Sequence, residues 1–179
     1  MFYISLTGWL LLIIALSIVG IWLLALIVNL IFVASFSSIF KKHKEAIPVI
    51  VYTKYDNLKT IVSILKQSGV AVDNRYIALL NDLSSADFVE PGSNQFVKAK
   101  NTLSYLADEL FNIASQHPDL EGDAEYMLAK RNILECDTQY RNTVMMYNAD
   151  VLGYNYWVRF LPCRFVFLMF KVKLKETIS

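Results

Sequence analysis

The sequence predicts an all-α protein in which an N-terminal transmembrane helix is followed by an elongated antiparallel bundle of three to four helices. Three observations carry this prediction. Residues 1–40 contain no Asp, Glu, Lys, Arg or His. Beyond them, apolar residues recur at alternating spacings of three and four, the repeat of one helix face. The 179-residue chain has room for an anchor and one small domain, and its hydrophobic share of 55% exceeds that of a typical soluble domain because the excess lies at the start.

The anchor comes first. About 20 apolar residues cross a hydrocarbon core of about 30 Å. Residues 9–32 meet that length, from Trp9 and Leu10 through Leu23 to Phe32. A helix pairs its own backbone groups, which a bilayer core demands. Gly20 fits such a helix, since Gly is common in membrane spans, and a continuous helix is preferred to a re-entrant hairpin. Asn29 is a polar residue within the span, able to hydrogen-bond a second helix. Residues 33–40 read as a helical extension in or just past the headgroups. A cleaved signal peptide would need a basic start and a shorter apolar core, so the segment reads as a retained anchor. Lys41, Lys42 and Lys44 follow it, whereas the N-terminal flank is uncharged. The positive-inside rule then predicts a single-pass protein with its N-terminus outside and its C-terminal domain in the cytoplasm.

The expected organisation is an anchor over residues 1–40, a basic flank over 41–47, a helical bundle over 48–150 and an aromatic and basic tail over 151–179. Pro48 is expected to start a helix, because its missing N–H is unneeded in a first turn. Val51, Tyr55, Leu58, Val62 and Leu65 give that helix one apolar stripe, and Gly69 ends it. Tyr76, Leu79, Leu80 and Leu83 predict a short helix, followed by a loop through Pro91, Gly92 and Ser93. Phe96, Ala99, Leu103, Leu106, Leu110 and Ile113 form a heptad-like seam, suited to coiled-coil-like packing against neighbouring helices. His117, Pro118 and Asp119 stop that helix. A last long helix is expected from about Gly122 to Asp150. Glu121, Asp123 and Glu125 crowd its first turn, where the helix dipole favours acids, and their spacing does not match a calcium loop. One face reads Tyr126, Lys130, Ile133, Asp137, Tyr140, Val144 and Tyr147, an aromatic and apolar seam with two charges. Lys130 and Asp137 lie about 10 Å apart along the axis, so each is expected to reach a partner on another helix or the edge of the seam rather than the other charge.

Charge and motifs narrow the function. A net charge of +1 argues against nucleic acid, which needs a basic stripe. Cys136 and Cys163 form neither a disulfide framework nor a metal-ligand spacing and read as packing thiols. No Gly-rich phosphate loop and no nucleophile beside a base can be found. The histidines fall in the basic flank (His43) and a turn (His117). The chain is therefore expected to be no enzyme and to carry no catalytic residue, metal or cofactor. In the tail, Tyr154, Tyr156, Trp157, Phe160, Phe165, Phe167 and Phe170 are interleaved with Arg159 and Arg164, and Lys171, Lys173 and Lys175 follow. Arginines near its middle make a second span costly, about 2.5–3.5 kcal/mol each. Aromatic rings beside cations suit a lipid interface, with Trp157, Arg159, Arg164, Lys171 and Lys173 as its residues, and suit equally a cap on the open end of the bundle.

The chain resembles the LemA family in four features taken in order. They are the single anchor; the helix around Tyr55, Asp56, Asn57, Leu58, Lys59, Thr60, Ile61 and Val62, similar to an Asp-Leu-Ile-Pro-Asn-Leu-Val region; His117, Pro118, Asp119 and Leu120, resembling Tyr-Pro-Asp-Leu; and Tyr140, Val144, Tyr147 and Asn148, resembling a Tyr-Asn…Val…Tyr-Asn signature. The departures mark a divergent member. Arg141 follows Tyr140 in place of Asn. Lys130 and Asp137 swap the signs of a family pair, and Tyr154 and Asn155 replace a Phe-Pro after the last helix. The resemblance implies a membrane-tethered helical bundle without enzymatic activity that acts as a scaffold or adaptor at a bacterial-type inner membrane. Its implied partners are membrane lipid, other membrane or cytoplasmic proteins and further copies of itself. One branch, MamQ, is associated with magnetosome membrane formation, which implies membrane organisation as the alternative role.

Overall fold

The computed structural model describes residues 6–83, 85–160, 164–169 and 171–178, and among them every regular element is helical. The helices are α1 (Leu6–Gln67), α2 (Asn74–Asp82), α3 (Asn94–Ser115), α4 (Ala124–Arg159) and the six-residue α5 (Arg164–Met169). Tight helical turns at Ser85–Phe88 and Pro118–Gly122 punctuate the connections. Contacts divide the chain into two compact units: Met1–Phe40 with Ala149–Thr177, and Lys41–Asn148 with Ile178–Ser179.

Two helix boundaries differ from expectation. Pro48 does not start a helix but lies inside α1. Its ring removes the N–H that would bond the carbonyl of Lys44. Lys44 lies at an exposed position of α1. The last helix does not end at Asp150. It runs nine residues further, to Arg159, so Tyr154 and Asn155 lie within it. The reason is that its buried seam continues through Val151, Tyr154 and Val158 at spacings of three and four.

In the first unit, the side chains of α1 from Trp9 to Val28 are almost all exposed, apolar ones included. From Asn29 onward one face of α1 is occupied. Phe32 stacks on Trp157 with ring centroids 4.5 Å apart and planes 1° from parallel. Phe36 meets Gly153, where an added Cβ would lie 2.8 Å from the ring. Phe40 meets the edge of Tyr154 at 5.5 Å. Such ring pairs contribute about 0.5–1.5 kcal/mol each beyond the area they bury.

In the second unit, Val51, Tyr55, Leu58, Val62 and Leu65 of α1 are all buried. They share a core with Phe96, Leu103 and Leu110 of α3 and with Tyr126 and Ile133 of α4. Each later helix has a cap. Asp73 accepts from the Arg75 N–H at 2.8 Å, Ser93 from the Phe96 N–H at 3.1 Å, and Asp123 from the N–H groups of Glu125 and Tyr126 at 2.8 and 3.0 Å. Such caps give partners to N–H groups that the first turn of a helix leaves unpaired. Gly69 ends α1 at φ +72°, a left-handed conformation that side chains resist.

Candidate functional site

The aromatic and basic segment organises one end of the first unit. At the end of α4 the Trp157 carbonyl accepts from the Phe160 N–H at 3.2 Å. Asn29 adds a second bond to the same oxygen: its Nδ2 donates at 3.1 Å. This accounts for an amide on an otherwise apolar face. Asn29 Oδ1 is buried and has no partner among the described residues. Around Trp157, the rings of Tyr156 and Phe160 cluster at centroid distances of 5.6–6.2 Å. Past this cluster a cavity of about 500 Å³ opens, lined by Val158, Arg159, Arg164, Phe167, Leu168, Val172 and Leu174. Among the described residues, Arg159 and Arg164 are its only charged lining. Lys171 and Lys173 are exposed and do not line it. Cys163 and Phe170 lie outside the described residues, as does Pro162.

The extended chain after α5 is held by an asparagine. Asn155 reads both backbone groups of Lys175: its Nδ2 donates to the carbonyl at 2.8 Å and its Oδ1 accepts from the N–H at 2.9 Å. In the second unit, Asn148 does the same for Ile178, with both bonds at 2.8 Å. Asn148 thus acts as a backbone clasp for a buried Ile178. Its neighbour Tyr147 is buried, and Val144 is half-buried. Pro118 opens the turn after α3, where His117 and Asp119 are exposed and Leu120 is buried.

The second unit also holds a charge that sequence periodicity did not single out. Lys54 is buried, with its side chain 7% exposed, and its Nζ lies 2.6 Å from Asp137 of α4, itself 43% exposed. The same Nζ donates to Ser104 of α3 at 3.2 Å. One ammonium therefore joins three helices. The signal was present in the sequence: Lys54 stands between Val51 and Leu58, at the helical spacing of the stripe. Asp137 and Lys130 are half-buried at the edge of the α4 seam, whose interior places are filled by Ala129 and Cys136. Asp137 reaches α1 instead of Lys130. Lys130 sits over the rings of Phe111 and Tyr126 at 5.8 and 5.7 Å. Burial pushes the Cys136 thiol above its usual pKa, and the neighbouring Asp137 charge adds to the shift. Tyr140 is half-buried, which raises its phenol, and Lys100 lies 5.2 Å from its ring centre.

Trp9, Leu10, Leu23 and Phe32 present 41–55% of their surface. Lys41, Lys42 and Lys44 are exposed, with Lys41 3.9 Å from Glu45 one turn on. Among the described residues, α1 is the one helix long and apolar enough to cross a membrane. Also among these, no three His, Cys, Asp or Glu side chains come together as metal ligands. The arrangement offers a long exposed apolar helix and a basic apolar cavity. Compared with protein-family models, curated proteins and solved structures, the chain matches none.

Proposed function

We propose that this protein is a membrane-anchored, non-enzymatic scaffold of the LemA type. In this reading α1 crosses a bacterial-type inner membrane, and a helical bundle on its cytoplasmic side recruits proteins there. The carrying observation is the change of character along α1. Residues 9–28 carry no charge and are almost all apolar and exposed, and at 1.5 Å per residue these twenty match a hydrocarbon core of about 30 Å. Lys41, Lys42 and Lys44 then supply the basic flank that favours the cytoplasm. Recruitment is supported by the outer face of α4, where Met127, Leu134 and Met145 are exposed at spacings of seven and eleven, both of which return to one side of a helix. Flexible methionines suit surfaces that accommodate varied partners. The resemblance at His117, Pro118, Asp119 and Leu120, and from Tyr140 to Asn148, supports the family.

The test is crosslinking of the full-length protein in its native membrane, followed by affinity capture and mass spectrometry. A reproducible partner set is expected, lost in Leu134→Asp/Met145→Asp while the protein remains in the membrane. Recovery of the protein itself and lipid alone sinks recruitment. It favours the second reading, membrane organisation by self-association and lipid contact, which the aromatic and basic end of the first unit supports.

A further inference from the structure

The cavity at the end of α4 has a composition that selects its ligand. Two guanidinium groups, Arg159 and Arg164, line it, and among the described residues no carboxylate does. Among the described residues, neither arginine has an ion-pair partner. The remaining wall is apolar, with Val158, Phe167, Leu168 and Leu174 prominent. A small soluble anion would leave that wall wet. A ligand with an anionic head and a hydrocarbon body satisfies both halves. The volume of about 500 Å³ accommodates a headgroup and glycerol, with acyl chains running outward.

Position within the unit points the same way. Trp157 is fixed to α1 at Asn29 and Phe32. Asn29 follows the largely exposed apolar stretch 9–28 directly, so Trp157, Tyr156 and Phe160 fall at the level where aromatic belts sit. In sequence Arg159 lies within this belt, and Arg164 follows four residues after Phe160. Arginine forks bond phosphate oxygens two at a time, which lysine cannot do.

We propose that this cavity is a binding site for an anionic phospholipid, its phosphate held between Arg159 and Arg164. The proposal rests on the reading that α1 enters a bilayer. It assigns the binding to these two residues and makes Lys171 and Lys173 dispensable.

The experiment uses the full-length chain in nanodiscs of phosphatidylcholine with a minority of phosphatidylglycerol, released and weighed by native mass spectrometry. One phosphatidylglycerol retained per chain is expected. Arg159→Gln/Arg164→Gln should reduce retention about tenfold or more, and Lys171→Gln/Lys173→Gln should leave it unchanged. Both arginines are exposed, so the substitutions spare the core. Arg159→Lys/Arg164→Lys keeps the charge and should still lose most of the retention. Equal retention of both lipids overturns the site. So does an equal loss from the lysine pair, which would mean diffuse surface attraction. Displacement by millimolar inorganic phosphate would make it a free-anion site and overturns the lipid assignment. A chain that does not enter nanodiscs at all refutes the anchor itself, whereas entry without lipid preference refutes only the site.

Discussion

At the scale of single residues, Lys54 decides how the second unit is held. A buried ammonium loses hydration that Asp137 and Ser104 must replace. Removing the acid alone leaves the charge stranded. Asp137→Asn is expected to lower unfolding stability by about 1–3 kcal/mol, less than for a fully buried pair because Asp137 is itself half-open to solvent. Lys54→Met, which removes the charge and keeps the stem, should cost less. Chemical denaturation of both single variants and the double variant measures the coupling, and a double variant no better than Asp137→Asn would contradict this account. Of these residues, Asp137 was legible as a charge seeking a partner on another helix. Lys54 was not, because a stripe is read from its apolar members and the lysine among them was passed over.

Elements were legible wherever a periodic face met a cap. The stripe from Val51 to Leu65 and the seam from Phe96 to Leu110 lie buried as their spacing predicts. Boundaries were less so. Pro48 looks like a helix start in any local reading, and only the continuity of α1 on both sides overrides it. The end of α4 was hidden because its aromatics and arginines obscure the seam of Val151, Tyr154 and Val158. Gly153 belongs to that hidden stretch. Its lack of a side chain lets α4 approach Phe36, and helix propensity alone would favour almost any replacement by up to about 1 kcal/mol. Gly153→Leu is nevertheless expected to destabilise the packing of α4 on α1 by about 1–3 kcal/mol, since the ring has to give way. Faster amide exchange across residues 149–159, with α3 unchanged, is the expected signature. Unchanged exchange would mean that the close approach carries no weight.

For the whole molecule, the sequence speaks clearly about where charge is and is not. The uncharged run followed by Lys41, Lys42 and Lys44 defines the proposed orientation, and changing those charges should change it. Replacing all three lysines with glutamate is expected to give mixed or inverted topology, read as altered protection of a C-terminal reporter from external protease. Full protection in the variant would remove the lysines from any topological role. The cavity beside Arg159 and Arg164 was legible only as composition. Two arginines among aromatics read equally as an interface or a cap, and it takes the fold to bring them to one cavity.

Asn29 ties the first unit together across a long stretch of chain, and this has a consequence for how the protein is made. Its acceptor, the Trp157 carbonyl, lies 128 residues downstream. At about 5–20 residues per second, translation reaches it roughly 6–26 s after Asn29. On the membrane reading, the anchor enters the bilayer during that interval with an amide that nothing yet satisfies. Synthesis through Trp157 engages its Nδ2. A copy cut short of Trp157 therefore carries an open amide donor at the membrane surface, and the arrival of α4 is what takes it out of play.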